Sequence, residues 1–419
     1  MNFTTIKQKI KKILLWSQKY TKTDMIYLFK NSFWTSVGKF FSSLSGILVL
    51  VFLTRYVSKD IVGQYNFYLS LLSIIAIFSI SGLNTSTIET TAKGNEGVYK
   101  KAVKTSFKWS WCGSLIFILI AIYFYFLKND QTLSLACLIT AFLFPFLYPP
   151  NIWRGFLIGK QKFKQLNFLS SLQSLLYLSA MILVIIFSHG NLIWIILVYL
   201  LIQIIANTFS YYFTQRYIQN NNENKDWKSY GFFLTKMQIL NLISTHIDKI
   251  IIGIFINMES LAIYSVGRKL ITSLQGLIKE FSNIYLPKIA QRNKINFKKY
   301  IFISLFSIIF CIIGIFITPW LIKILFTLEY SNSILIAQLF LLFLPIWIFD
   351  LFLGYETSYN LKNKKIIFYK NIITPIIYFI LIIPAIIFFK EIGLVLVISL
   401  KNIINIFIFL KFYKNQTSK

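Results

Sequence analysis

Long apolar stretches separated by short polar breaks occupy almost all of the sequence after residue 30. A membrane-spanning helix needs about 20 predominantly apolar residues, and twelve stretches meet this requirement. The predicted spans are residues 31–54, 66–83, 107–127, 132–153, 166–187, 191–213, 233–256, 262–286, 301–322, 332–353, 366–388 and 392–412. The pattern predicts an all-α polytopic membrane protein with twelve transmembrane helices.

Basic residues are distributed unevenly between the two sides of these spans. If the chain starts in the cytoplasm, the cytoplasmic segments and the adjoining span ends hold 31 of the 43 Lys and Arg residues. The outer loops hold five, which are Arg55, Lys59, Lys128, Lys323 and Lys390. Because cytoplasmic loops of membrane proteins are enriched in Lys and Arg, the asymmetry predicts an even number of spans and two cytoplasmic termini.

A short sequence pattern occurs twice, at corresponding places in the two halves of the chain. The segment between the first two spans reads Asp60-Ile-Val-Gly-Gln-Tyr65, and that between spans seven and eight reads Glu259-Ser-Leu-Ala-Ile-Tyr264. An offset of 199 residues carries one onto the other and superimposes the adjoining spans. Since many transporters consist of repeated halves, we expect two six-helix lobes around a central cavity.

The repeat also predicts the domain organisation. We expect a basic cytoplasmic N-terminal segment, an N-terminal lobe, a cytoplasmic linker, a C-terminal lobe and a cytoplasmic tail. Their predicted ranges are residues 1–30, 31–214, 215–230, 231–412 and 413–419, respectively.

Composition favours a membrane protein over a nucleic-acid-binding one. Hydrophobic residues make up 56% and charged residues 14% of the chain, against roughly 45–50% and about 25% in soluble domains. A net charge of +29 would suggest nucleic acid in a soluble chain, but here most of it lies in segments that set orientation. The three cysteines are too widely spaced for a zinc site or a disulfide framework, and no cofactor or metal is predicted.

Polar side chains recur at helical spacing within three of the predicted spans. This spacing places them along one side of each helix, so these sides are expected to avoid lipid. The stripes are Asn31, Thr35, Lys39, Ser42 and Ser45 in span one, Gln238, Asn241, Thr245 and Asp248 in span seven, and Arg268, Thr272, Gln275 and Lys279 in span eight.

Four cations inside the spans are the predicted substrate-binding residues, namely Lys39, Lys249, Arg268 and Lys401. A charge at the centre of a membrane helix costs about 2.5–3.5 kcal/mol on insertion scales, so it points to a pathway or a partner. If the polar stripes converge, these side chains form a cationic cavity suited to a polyanionic substrate. For Lys249 and Arg268, snorkelling to the membrane interface is the alternative.

Two acids inside the spans, Asp248 and Asp350, are candidates for ion or proton coupling. A structural ion pair with the adjacent Lys249 is the alternative for Asp248. The sequence contains no HExxH, P-loop or GxSxG motif, so we expect a transporter and not an enzyme.

The stretches LVFLTRYVSKDIVGQYNFYLSLLS (50–73) and IDKIIIGIFINMESLAIYSVGRKL (247–270) resemble the half-repeat signatures of the polysaccharide-unit flippases. These are the Wzx-type members of the multidrug/oligosaccharidyl-lipid/polysaccharide (MOP) exporter superfamily. The resemblance implies two lobes around a cationic cavity in the inner membrane. It also implies alternating-access transport of an undecaprenyl-pyrophosphate-linked oligosaccharide for O-antigen, lipopolysaccharide or capsule synthesis.

Membrane lipids and a polysaccharide polymerase are the further partners implied, and no nucleic acid is expected. An ion-coupled multidrug antiporter of the same superfamily is the first alternative function, although it predicts an acidic cavity. A membrane polysaccharide polymerase or ligase is the second, although such enzymes commonly need a larger outer loop than this chain offers.

Overall fold

The computed structural model describes residues 25–223, 226–283, 297–357 and 364–417. Within these ranges the backbone is almost entirely helical and contains no β-strand. A helix satisfies its backbone hydrogen bonds internally, which a segment inside a bilayer requires. Most of the predicted N-terminal segment, the side chains of Asn31 and Thr35, and the end of the predicted tail lie outside the described residues.

The first half of the chain is a series of long apolar helices with two short ones between them. The helices are α1 (Met25–Tyr56), α2 (Lys59–Ile75), α3 (Gly82–Ala92), α4 (Val98–Phe126), α5 (Gln131–Leu147), α6 (Trp153–Gly159), α7 (Phe163–Phe187) and α8 (Leu192–Gln215). A 3₁₀ turn at Ala76–Ser79 follows α2, and another at Pro149–Ile152 joins α5 to α6.

The second half follows the same plan. Its helices are α9 (Trp227–Phe255), α10 (Met258–Asn283), α11 (Phe297–Leu325), α12 (Ser333–Tyr355), α13 (Lys364–Phe368) and α14 (Thr374–Thr417). A π-helical turn at Tyr369–Ile373 connects α13 to α14.

The last helix is two membrane-crossing arms joined at a sharp break. Lys390 has φ 49° and ψ −135°, which no helical residue adopts. At 1.5 Å per residue a straight helix of this length would be about twice as long as a bilayer is thick. The break therefore returns the chain into the membrane and separates the predicted spans 366–388 and 392–412.

Ten helical stretches in the described residues are long and apolar enough to cross a membrane. The stretch Lys365–Tyr413 contains both arms of the last helix, and α10 is too polar to qualify by composition alone. Counting both arms and α10, the described residues contain the twelve predicted spans. The predicted all-α polytopic fold with two six-helix lobes is confirmed.

Large apolar side chains cover the outer surface of the helices. Phe126, Phe142, Phe316, Trp320 and Phe388 are each more than 70% exposed. Such a surface is unfavourable in water and suits a lipid environment. The chain is a multi-pass membrane protein.

The two halves touch through close backbone contacts. A Cβ atom added to Gly63 on α2 would lie 1.8 Å from the carbonyl oxygen of Met258 at the start of α10. One added to Gly82 on α3 would lie 2.2 Å from the carbonyl oxygen of Gly231 on α9. Gly63 lies in the first copy of the repeated sequence, and Met258 directly precedes the second copy. The two copies of the repeat therefore pack near each other.

The residues between α8 and α9 pack against the first half. Lys160 forms an ion pair with Glu96 at 2.5 Å and also donates to Gln219 Oε1 at 2.8 Å. The other Glu96 oxygen accepts from the backbone N–H of Gln219 at 2.7 Å. The segment predicted as a linker is therefore held in place at its start. Its predicted boundaries, like those of the other domains, stay a prediction.

Candidate substrate-binding site

An ion pair joins the first two helices of the second half. Arg268 Nη1 on α10 lies 3.1 Å from Asp248 Oδ2 on α9, and the Asp248 side chain is wholly buried. The Tyr264 hydroxyl donates to the same oxygen at 2.6 Å and accepts from Arg268 at 2.8 Å. The partner of Asp248 is thus Arg268, whereas the sequence suggested Lys249. Neighbouring residues on a helix point about 100° apart, so Asp248 and Lys249 face different directions.

Lys401 reaches the same helix from the second arm of α14. Its Nζ donates to Ser244 Oγ at 2.9 Å and lies 5.4 Å from the centre of the Tyr378 ring. Ser244 precedes Asp248 by one helical turn, so Arg268 and Lys401 attach to successive turns of α9. Among the described residues, no carboxylate lies within ion-pair distance of Lys401.

Lys39 lies where the first half meets the second. A Cβ atom on Gly276 of α10 would be 3.1 Å from Lys39 Cε, so the lysine stem packs against α10. Lys269 extends from α10 toward α1, because a Cβ atom built on Gly46 of α1 would lie 2.7 Å from Lys269 Nζ. Lys249 is partly buried on α9.

These cations lie close enough to interact electrostatically. Lys249 interacts with Asp248, Arg268 and Lys269, Lys269 interacts with Lys39, and Lys401 interacts with Asp350, Arg268 and Asp248. Within the part of the chain that the structure describes, only Arg268 among them has a carboxylate partner. Such a group suits a phosphate or carboxylate, which Lys and Arg bind through charge-assisted hydrogen bonds. That substrate binds at Lys39, Lys249, Arg268 and Lys401 stays a prediction.

The polar stripes predicted on α1, α9 and α10 are largely open. Their exposed members are Ser42, Gln238, Asn241, Thr245, Thr272 and Lys279. Exposed polar side chains in membrane helices are stable where they face water and unstable where they face lipid. The stripes therefore indicate an aqueous cleft along these three helices.

Asp350 forms a second internal ion pair. Lys370 Nζ in the π-helical turn lies 2.7 Å from Asp350 Oδ1, and Asn405 Nδ2 donates to Asp350 Oδ2 at 3.0 Å. Both oxygens of Asp350 are thus engaged, whereas Oδ1 of Asp248 is buried without a hydrogen-bond partner. Ion coupling through either acid stays a prediction. In the described residues, no group of three or more His, Cys, Asp or Glu side chains lies together as a metal site.

Arg154 is a cation just beyond the end of the fourth predicted span. The fourth predicted span ends at residue 153 and contains Pro149 and Pro150. In the structure the prolines form a 3₁₀ turn, and the apolar stretch continues from Gln131 to Gly159. Arg154 therefore lies within the crossing. The signal was available in the apolar residues after the prolines, Phe156, Leu157 and Ile158.

A family model described as "Polysaccharide biosynthesis protein" matches residues 28–291. The chain belongs to this family. The match covers the whole first half and the helices that carry Asp248 and Arg268. It confirms the family resemblance inferred from the two repeat stretches. No curated protein sequence matches the chain.

Solved structures of the same architecture include a flippase and transporters. The lipid II flippase MurJ, in an inward closed conformation, is 18% identical with a TM-score of 0.71, over 90% of this chain and 87% of that one. An inward-facing multidrug resistance MATE family transporter of the MOP superfamily is 12% identical with a TM-score of 0.65, over 90% and 95%. A MOP superfamily transporter from Pyrococcus furiosus is 12% identical with a TM-score of 0.59, over 94% and 96%. At these identities the likeness establishes the fold.

Proposed function

We propose that the protein is a flippase that moves undecaprenyl-pyrophosphate-linked oligosaccharide units across the inner membrane for surface polysaccharide synthesis. The observation that carries the proposal is the excess of cations on α1, α9, α10 and the second arm of α14. Lys39, Lys249, Lys269 and Lys401 form no ion pair among the described residues, and together they suit a pyrophosphate. Membership of a polysaccharide biosynthesis family supports a sugar-bearing substrate.

The mechanism follows from the two-lobe architecture. The head group enters the cleft from the cytoplasm and is neutralised by lysine side chains, while the polyprenyl chain stays in the bilayer. Rocking of one lobe against the other then opens the cleft to the outside, with both termini of the chain in the cytoplasm. No covalent bond changes, so no catalytic residue is required. Coupling to an ion gradient would act through Asp248 or Asp350.

The alternatives gain no support from the described residues. A drug-cation antiporter needs exposed acids in the cleft, yet Asp248 and Asp350 are both ion-paired. A polymerase or ligase needs a large outer loop. The connections on the predicted outer side are short, since α1 ends at Tyr56 and α2 begins at Lys59, and α9 ends at Phe255 and α10 begins at Met258.

The direct test is translocation by the purified protein in liposomes. Undecaprenyl-pyrophosphate-linked oligosaccharide is incorporated in both leaflets, and an added glycosidase that cannot cross the bilayer reports the outward-facing fraction over time. We expect the protein to make the protected fraction accessible, and the Lys39→Ala, Lys249→Ala and Lys401→Ala variants to slow this step. Unchanged rates in all three variants would contradict the cationic site. Ethidium extrusion by the same liposomes without lipid-linked sugar would favour the antiporter instead.

A further inference from the structure

A polar cluster surrounds Arg154 in the interior of the first half. Arg154 Nε donates to Asn151 Oδ1 at 2.8 Å, Nη1 donates to Ser170 Oγ at 3.2 Å, and Nη2 donates to Gln173 Oε1 at 2.6 Å. Asn151 belongs to the 3₁₀ turn before α6, and the other two acceptors lie on α7. The guanidinium is thus fixed between two helices by neutral acceptors.

The amide network behind the guanidinium fixes the orientation of Gln173. Its Nε2 donates to Gln203 Oε1 at 3.0 Å and to Asn207 Oδ1 at 3.1 Å, both on α8. Asn207 Oδ1 also accepts from the indole N–H of Trp153 at 3.3 Å. With its N–H₂ group occupied in this way, Gln173 presents its oxygen to Arg154.

No described residue balances the charge of Arg154. Three other part-buried cations do have acids, since Lys160 pairs with Glu96, Arg268 with Asp248 and Lys370 with Asp350. An isolated cation in a membrane helix is expensive. A guanidinium has five N–H donors, and only three hydrogen bonds hold that of Arg154, so two donors remain for a ligand.

The corresponding cluster in the second half is internally neutral. The repeat offset of 199 residues carries Asn151 onto Asp350 and Ser171 onto Lys370. Where the second half has a carboxylate, the first half has an amide, and the charge of Arg154 is left uncompensated. The side chain of Arg154 is partly exposed, whereas Trp153 and Gly155 on either side are buried. Arg154 is therefore less tightly packed than the residues on either side of it.

We propose that Arg154, held in position by Ser170 and Gln173, forms an anion-binding site in the first half that is separate from Lys39, Lys249, Lys269 and Lys401. Its ligand is an anionic oxygen group of the transported head, and this step rests on the proposed function. Two sources offer that chemistry, namely the pyrophosphate linkage and an acidic sugar of the oligosaccharide. Arginine suits both because its planar donors match two oxygens of either group.

The site is tested by anion binding to the full-length protein in detergent. The midpoint of thermal unfolding is measured against increasing inorganic pyrophosphate, glucuronate or glucose, the last as an uncharged reference. The variants are Arg154→Gln, which removes the charge, and Gln173→Glu, which places a carboxylate where the 2.6 Å acceptor now lies. Arg216→Gln is the matched control, because Arg216 is exposed at the end of α8 and stacks on Phe213.

We expect one of the anions to stabilise the native protein and both site variants to bind it roughly tenfold more weakly or worse, as the loss of a charge-assisted contact implies. Pyrophosphate as the stronger ligand assigns the site to the linkage, and glucuronate assigns it to the sugar. The Gln173→Glu variant keeps Arg154 paired and is expected to fold, so it remains informative if Arg154→Gln does not.

Three results would overturn the site: no stabilisation of the native protein by either anion, unchanged binding in Gln173→Glu, or equal weakening in Arg216→Gln. A merely structural Arg154 predicts that Gln173→Glu leaves anion binding unchanged. The assay contains no lipid-linked sugar. If the liposomes show no translocation but anion binding still depends on Arg154, the proposed flippase function is rejected and the anion site is retained.

Discussion

Asp248 and Arg268 form an ion pair 3.1 Å long that exists in only one of the two halves of the chain. At the corresponding positions of the first half, 199 residues earlier, the sequence has Val49 and Leu69. Tyr65 and Tyr264 correspond under the same offset, yet only Tyr264 donates to a carboxylate. The two halves thus share a backbone plan and differ in where they place charge.

Breaking this pair by one substitution is expected to be costly. In Asp248→Asn the buried guanidinium loses its counter-charge, and removal of one partner of a buried pair destabilises by about 3–5 kcal/mol. The double variant Asp248→Asn with Arg268→Gln carries no unpaired charge and is expected to recover most of this loss. Thermal unfolding in detergent measures both. A double variant as unstable as the single one would show that the pair contributes little.

Lys401 provides a contrasting case, because its partner is neutral. We expect Lys401→Met, which keeps the length of the side chain, to slow translocation by roughly tenfold, the loss of one charge-assisted contact to substrate. Ser244→Ala removes the 2.9 Å hydrogen bond and leaves the charge, so it is expected to change the rate by less than about twofold. The liposome assay compares the two. Equal effects would indicate that the hydrogen bond matters and the charge does not.

The sequence predicted the fold well because membrane spans depend on short-range apolar patterning. Each of the twelve predicted spans overlaps a helix. The predicted span boundaries were wrong where local backbone geometry determines where a helix begins or ends. The fourth crossing continues through the Pro149–Ile152 turn to Gly159, beyond the predicted end at residue 153, and α2 begins at Lys59, well before the predicted residue 66.

The site was only partly predictable for a different reason. Helical spacing identifies residues that share a face, but it does not say which helices meet. Adjacency in the sequence suggested Lys249 as the partner of Asp248, whereas the fold provides Arg268 from the next helix. The Lys370 partner of Asp350 comes from a π-helical turn, which has no signature in the sequence pattern.

Asp350 allows a test of ion coupling. Asp350→Asn alone leaves Lys370 without its partner, so the double variant Asp350→Asn with Lys370→Met is the informative one. We expect it to fold and to translocate substrate without stimulation by an imposed proton or sodium gradient. Rates are compared in liposomes with and without the gradient, beside the native protein. If the gradient stimulates translocation by the double variant as much as by the native protein, Asp350 does not couple transport to the ion.

The glycine contacts between the halves give a test of lobe movement. At Gly63 and Gly82 a Cβ atom would overlap a carbonyl oxygen of the opposite half, at 1.8 Å and 2.2 Å. Because a backbone carbonyl cannot move aside as a side chain can, a larger residue is expected to prevent these surfaces from closing. Gly63→Leu and Gly82→Leu should each reach the membrane in normal amount and translocate roughly tenfold more slowly, since closure at each contact is one step of a rocking cycle.

Gly354→Ala is the control for these two variants, because the nearest atom to its Cβ position is Lys370 Nζ, at 3.7 Å. It is expected to translocate at the native rate.

The two leucine variants should also differ from each other in labelling. Cysteine reagents that cannot cross the membrane should reach cleft positions such as Thr272→Cys from one side in Gly63→Leu and from the other side in Gly82→Leu. Native rates in both leucine variants would show that these contacts persist through the transport cycle, and the halves would then have to move about a different surface.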